Sequence, residues 1–380
     1  MSALQGKRIL ILSPQNWGKM FVSKHHYAVE LARRGNTVYF LDPPEQGKSD
    51  LAEPVKVAPL PDAKDLYLVR HKLWFPYNLK FHALPLFHAG MRRHLKKLLR
   101  TIGEPIDIIW SFDLGNLYPL TFFTGVPRKI FHPVDEPLNP AAIASAKGAD
   151  VIFSVTQEIL QKYSAMPASR HLINHGLAAY FLEPARPVRP EGDPVRVGLS
   201  GNFLRGDVDR ETLLTIIREN PQVVFECWGS YTMAQSNIAG SDDEPTRVFI
   251  AGLQQQLNVV MHGAVPAQTL AASLRRMDAF LICYDITKDQ SGGTNYHKIM
   301  EYLSTGKVIV SNNVTTYKDR AELLQMTAQR DNNRELPALF KKVIGNLAHY
   351  NNPSLQEQRI SHAADNTYAA QIARIEKLLE

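Results

Sequence analysis

Cysteine is nearly absent: there are two in 380 residues, Cys227 and Cys283. Both sit in apolar, strand-like runs (Val-Val-Phe-Glu-Cys-Trp and Phe-Leu-Ile-Cys-Tyr) with no metal-ligand spacing, so both are expected as buried thiols. No uncharged apolar run approaches the ~18 residues of a membrane span. The apolar stretch Ile9–Leu12, just after Lys7-Arg8, is too short for the core of an export signal and has no small-residue cleavage site behind it. A cytoplasmic protein is expected. No Gly-x-Gly-x-x-Gly follows the first strand, which counts against a nicotinamide dehydrogenase. With 44% hydrophobic and 21% charged residues, wholesale disorder is excluded.

Acidic residues are missing from one long stretch. From Leu66 to Gly103 there are eight Lys or Arg (Arg70, Lys72, Lys80, Arg92, Arg93, Lys96, Lys97, Arg100) and no Asp or Glu. Tyr67, Trp74, Phe75, Tyr77, Phe81 and Phe87 are interleaved with them. Leu84, Phe87, Met91, Leu95, Leu98 and Leu99 trace an apolar stripe on a helix whose other face is basic. This suits an anionic lipid surface, at ~1 kcal/mol per nearby basic residue. A core-facing helix with a solvated basic face accounts for the same pattern. No nucleic-acid recognition motif is present, and no such partner is expected. Residues 1–185 hold 22 Lys/Arg against 15 Asp/Glu, net +7, and the rest 21 against 22, net −1. That asymmetry suggests two domains with different partners, as does the length.

The first half opens as strand (Arg8–Ser13), loop, helix (Val22–Arg34), Gly-Asn stop and strand (Thr37–Leu41), a βαβ unit of a parallel sheet. Further strands are predicted at Ile106–Ser111, Arg128–Phe131, Val151–Val155 and His171–Asn174, with a helix over Gln157–Ser164. Residues 183–194 hold four prolines in twelve positions and read as a linker. The rhythm then restarts with strands at Val195–Leu199, Val223–Trp228, Val259–His262, Ala279–Cys283 and Val308–Ser311. Helices are predicted over Arg210–Glu219, Pro245–Gln256, Pro266–Arg276 and Tyr296–Ser304, and a last one from about Ala363 to Leu379. Ligands of such sheets bind beyond the C-terminal strand ends, so a cleft between the domains is the natural site.

Gly292-Gly293-Thr294-Asn295-Tyr296-His297-Lys298-Ile299-Met300-Glu301 reads as a Gly-rich loop opening a helix, with Thr294 or Asn295 as N-cap. Free N–H groups at such a start would accept a diphosphate. Lys298 and Glu301 share one helix face and suit a phosphate and a ribose diol, although an ordinary surface Lys–Glu pair has the same spacing. In the first half, Phe131-His132-Pro133-Val134-Asp135-Glu136 follows a strand and so lies at the ligand end of its sheet, where a base would act on an acceptor hydroxyl. Asp135, His132 and Glu136 compete for that role. His25 or His26, after the loop Ser13–Gly18, is the second candidate. Asp207-Val208-Asp209 precedes a helix, and both acids are expected to cap it.

The run Asn-Tyr-His-Lys-Ile-Met-Glu-Tyr-Leu-Ser-Thr-Gly-Lys-Val-Ile-Val (295–310) resembles the nucleotide-sugar signature of GT-B glycosyltransferases of the bacterial family-4 and family-1 kind. Val197-Gly198-Leu199-Ser200-Gly201-Asn202-Phe203, Asn258–Pro266 and His171–Leu177 resemble other motifs of that family in order, so the likeness spans essentially the whole chain. It implies an α/β GT-B architecture of two Rossmann-like parallel-sheet domains facing a cleft. The acceptor domain would span 1–184, the nucleotide-sugar domain 185–361 and a C-terminal helix 362–380, crossing back to the first domain. Retaining members carry two glutamates eight residues apart. Glu301 fits the second, but Gly293 stands where the first would be. A closer likeness is to the inverting glucuronosyltransferase of xanthan assembly. It implies Tyr284 and the Val265 backbone at the base pocket, Lys298 and Arg205 on phosphate, and Asp135 as catalytic base. Gly201, Asn202, Asn295, Tyr296 and Glu301 complete the implied donor site. The family further implies a UDP-sugar donor, no cofactor and no metal, and a saccharide or polyprenyl-linked acceptor in surface polysaccharide synthesis at the inner membrane face. A nucleotide-sugar epimerase of the same fold and a non-enzymatic sugar-binding protein are the rival readings.

Overall fold

Leucine-rich and β-branched runs become the inner strands of two sheets. The computed structural model describes residues 3–18, 21–46, 51–183, 192–233, 240–289 and 291–380. Along the chain come β1 (Arg8–Leu12), α1 (Ser23–Arg33), β2 (Thr37–Leu41), β3 (Val55–Pro59), β4 (Leu66–His71), α2 (Leu79–His82), α3 (Leu84–Ile102), β5 (Ile108–Ser111), β6 (Arg128–Phe131), α4 (Pro140–Ala144), β7 (Val151–Ser154), α5 (Gln157–Lys162) and β8 (Ser169–Leu172). There follow β9 (Arg196–Ser200), α6 (Arg210–Glu219), β10 (Val224–Trp228), α7 (Glu244–Gln254), β11 (Val259–Gly263), α8 (Ala267–Leu274), β12 (Ala279–Ile282), α9 (Lys298–Leu303), β13 (Val308–Ser311), β14 (Leu324–Met326), α10 (Leu336–Ile344), α11 (Leu347–Tyr350), α12 (Pro353–Ala364) and α13 (Tyr368–Leu379). Two compact units result, Met1–Asn174 with Tyr368–Glu380, and His175–Thr367. The expected linker and its 184/185 boundary fall largely on 184–191, outside the described residues.

The first unit is an eight-stranded sheet in the order β3-β4-β2-β1-β5-β6-β7-β8. Its strands are parallel except at the β3–β4 pair. Strand alternation divides β1 between two cores. Leu10 and Leu12 pack with Phe87, Met91 and Leu98 of α3 on one face. Ile9 and Ile11 pack with Tyr27 and Leu31 of α1 on the other, where Ile372 and Ile375 of α13 join them. The C-terminal helix therefore does return to the first unit, tied by an Arg34–Glu376 ion pair and by Gln371 Nε2 donating to Asn174 O at 3.0 Å. The second unit is a parallel six-stranded sheet, β11-β10-β9-β12-β13-β14. Its strand order reverses at β9, which places the natural ligand crevice at the C-terminal ends of β9 and β12.

Several elements depart from the sequence reading. β3 and β4 were not predicted, because Lys56 and Pro59 give β3 the polar look of a protected edge strand and Arg70 and His71 cut short the apolar run of β4 beside it. Three-residue β14 is too short to show a period. The last helix starts at Tyr368 rather than near Ala363, since Asn366 turns back on His362 O at 2.7 Å and its own carbonyl accepts Leu177 N–H. On α3 the core-facing row is Phe87, Met91, Leu95 and Leu98, whereas Leu84 is exposed and Leu99 half-buried. Both cysteines are buried and free, as expected. No helix among the described residues is long and apolar enough to cross a membrane.

Candidate functional site

β9 ends in Ser200, and the chain turns through Gly201 at φ +151. A Cβ on Gly201 would lie 2.6 Å from Lys298 Nζ and 3.2 Å from the Tyr284 hydroxyl. One strand over, a Cβ on Gly229 would overlap Gly201 O at 1.7 Å. The two glycines let backbone and a lysine meet where a side chain would block them. Gly229→Ala is accordingly expected to cost more than the ~1–3 kcal/mol of ordinary overpacking. Gly18→Ala, whose Cβ meets nothing within 4 Å, should be close to neutral. Denaturant midpoints of the two variants check this.

Lys298, from the start of α9, donates to Ser200 O and, at 2.6 Å, to the Tyr284 hydroxyl, and its ammonium lies 4.9 Å from the Tyr284 ring centroid. Burial works against its charge, but Tyr284, Tyr302 and Glu301 more than offset it and hold its pKa above the ordinary lysine value. Tyr302 is held from beneath by stacking on Phe280, 4.1 Å between centroids. Its hydroxyl oxygen accepts the Ser200 N–H at 2.6 Å. Sequence reasoning left Tyr302 and Ser200 out of the site, although Tyr302 stands in the Lys-x-x-Glu-Tyr run.

The Gly-rich loop is organised by a residue that was not foreseen, Asp289. Its buried carboxylate accepts the N–H groups of Ser291 and Gly293 at 3.0 and 3.1 Å and the Tyr296 hydroxyl at 2.8 Å. These loop N–H groups are therefore already satisfied, not open to an anion. Thr294 and Asn295 are buried but do not cap α9, which begins only at Lys298 with His297 at its N-cap position. An Asp two residues before a Ser-Gly-Gly was the available signal, an Asx-turn pattern. Tyr296 packs 4.9 Å from Tyr284. Arg205 is partly exposed but already paired: Asp207 takes its Nε at 2.9 and 3.0 Å, and Asp289 lies 3.9 Å from Nη2. Asp207 thus pairs with Arg205 instead of capping, while Asp209 caps α6 through Thr212 N–H at 3.1 Å. Asn202 Oδ1 accepts Leu204 N–H at 3.0 Å and shapes the turn. Glu301, one turn along α9, sits 3.4 Å from His297 Nδ1. Val265 lies two residues past β11, half-buried. Gly201, Tyr284 and Lys298 meet directly, Tyr296 and Arg205 join them through Tyr284 and Asp289, and Val265 stands apart at the β11 end.

At the strand ends of the first unit, Asp135 is exposed in the turn after β6. His132 is 1% exposed, ringed by Tyr27, Trp110, Phe112 and Phe153, and burial takes its pKa down to about 3. His25 lies between Phe21 and Phe40, its Nδ1 accepting Val22 N–H at 3.1 Å and its Nε2 3.2 Å from Asn16 O. Burial lowers its pKa to about 4. Glu136 is paired with Lys162. Lys24, in the first turn of α1, is 2% exposed; burial lowers its pKa to about 8 against the pull of Asp135 and Asp113. A buried cation at the positive end of a helix is electrostatically costly; Lys24 belongs to the acceptor-side candidate segment with His25 and His26, but its burial was not foreseen.

Solved structures share this architecture. Sucrose-phosphate synthase from Thermosynechococcus elongatus superposes with a TM-score of 0.70 at 13% identity, covering 98% of this chain and 99% of that one. HepE from Anabaena, in complex with UDP and glucose, gives 0.64 at 13% identity over 97% and 99%. The trehalose 6-phosphate synthase of Burkholderia multivorans gives 0.68 at 13% over 99% and 98%. The chain has the GT-B glycosyltransferase fold. No protein-family model and no curated protein sequence matches it.

Proposed function

We propose that the chain is a metal-independent glycosyltransferase moving a hexose from a UDP-sugar to a hydroxyl of a saccharide or polyprenyl-linked acceptor. The observation that carries this reading is Lys298, an ammonium held over Gly201 at the ends of β9 and β12. The leaving diphosphate would meet Lys298 there, and Arg205 once freed from Asp207, the electrostatic task a metal otherwise performs. Glu301 would take the ribose diol, and Tyr284 with the Val265 backbone the base. Asp135 would accept the acceptor's proton. Fold neighbours solved with UDP and glucose or with UDP-glucose support a UDP-sugar as donor. The reading places the enzyme in surface polysaccharide synthesis, on the cytoplasmic side of an anionic membrane contacted through residues 66–103.

Thermal unfolding with UDP, GDP, dTDP and CMP, each with EDTA, tests the donor. UDP at 100 times its Kd should add about 2.7 kcal/mol of apparent stability. Stabilisation by none of them would refute a nucleotide-sugar donor, and stabilisation only with divalent metal would refute metal independence.

A further inference from the structure

The apolar row of α3 is spent on the core, so it cannot be what meets a lipid surface. A different apolar set is left outside. Among the described residues of the first unit, seven large apolar side chains are strongly exposed: Trp74 at 58%, Phe81 at 70%, Leu84 at 47%, Leu86 at 64%, Leu138, Leu172 and Leu378. Four of the seven fall between positions 74 and 86. The aromatic members are joined through buried Phe75 and Phe87 and half-buried Tyr77: Trp74 packs on Phe75, Phe75 on Phe87, Phe87 on Tyr77 and Tyr77 on Phe81, with centroids 5.1–6.1 Å apart. Leu84 and Leu86 stand exposed in the first turn of α3, just ahead of Phe87.

Of the eight basic residues in the stretch, three are used inside the unit. Arg70 pairs with Glu45, Lys72 donates to Leu51 O and Lys80 to Gly115 O. The other five, Arg92, Arg93, Lys96, Lys97 and Arg100, are exposed along α3. Arg92 is seated 4.5 Å over the Phe122 ring. Four exposed apolar side chains followed along the chain by five exposed cations, with no acid in the whole stretch, are complementary to a surface that is oily within and anionic at its boundary.

We propose that Trp74, Phe81, Leu84 and Leu86 insert below the headgroups of an anionic membrane, with the outer face of α3 laid on the headgroups beside them. This builds on the peripheral location proposed above and gives it a specific inserting set. Docking of this kind has two separable parts, a salt-sensitive one from the cations and a salt-resistant one from the inserted side chains.

The test is sedimentation with vesicles of phosphatidylcholine alone or mixed with phosphatidylglycerol, together with quenching of tryptophan fluorescence by brominated acyl chains. Trp110 and Trp228 are buried and Trp17 half-buried, so quenching should come from Trp74 and vanish in Trp74→Phe. Arg92/Arg93/Lys96/Lys97→Ser should weaken binding to anionic vesicles by about tenfold or more. Phe81/Leu84/Leu86→Ser should weaken it at high salt as well, with an unfolding midpoint close to wild type because these side chains are largely exposed. Anionic-vesicle binding without any Trp74 quenching would overturn insertion while leaving the peripheral location standing. Sedimentation with neither vesicle would overturn both. Nucleotide binding at Lys298 is measured on the same samples and is independent of either result.

Discussion

Asp135→Asn is expected to lower turnover, read as UDP release from a UDP-sugar with acceptor present, by about 10²–10⁴-fold while leaving UDP affinity unchanged. The substitution keeps the shape of the side chain and removes its capacity to take a proton. Asp135 is the one exposed side chain among the candidate bases, since His26 is half-buried and stacked on Tyr368. His132 is walled in by four rings, His25 has both ring nitrogens occupied, and Glu136 is bound to Lys162. Lys24 adds a reason to look here, because a buried ammonium facing Asp135 and Asp113 is costly to keep without a use. Being exposed, Asp135 should tolerate the change with no loss of stability, so a fall in activity would be a chemical one. Full activity in Asp135→Asn would remove the assignment.

Lys298→Ala should weaken UDP binding by about 1.5–3 kcal/mol, roughly 10–150-fold, the range for a lost hydrogen bond to a charged group. Uridine, which lacks the diphosphate, should bind as it does to the wild type. Glu301→Ala should show the complementary pattern, with uridine and UDP weakened alike through the ribose. Two residues three apart on α9 would then report on different parts of one ligand. The alanine at 298 also releases the Tyr284 hydroxyl and the Ser200 carbonyl. An unfolding midpoint close to wild type is therefore required before the affinity is interpreted. Calorimetric titration of both ligands into both variants separates these outcomes. Equal loss of uridine and UDP in Lys298→Ala would mean that the lysine shapes the site without touching phosphate.

Much of the architecture was legible because parallel strands buried on both faces are written as short apolar runs. Thr37–Leu41, Arg128–Phe131 and Val308–Ser311 were read at their true ends. Arg210–Glu219 was read correctly as well, with Asp209 ahead of it as a cap that the structure uses. The edge strand β3 and its neighbour β4 escaped because Lys56, a terminal proline and Arg70 interrupt their apolar runs. Lys298, Tyr284 and Gly201, which the structure brings together, had been singled out through the resemblance of their runs to a family signature. What supports them was not. Asp289 reaches Tyr296 seven residues on and Tyr302 reaches Ser200 from 102 residues away, contacts that only the fold brings about. Arg205 shows the opposite failure, since its neighbour Asp207 was visible but was assigned to the helix and not to the guanidinium.

A crystal structure of the protein with UDP tests the central claim most directly. The account requires the diphosphate within about 3 Å of Lys298 Nζ, the reach of a charge-assisted hydrogen bond, at the ends of β9 and β12, with the ribose at Glu301. A diphosphate bound elsewhere on the second unit, with Lys298 still closed on Ser200 and Tyr284, would contradict it.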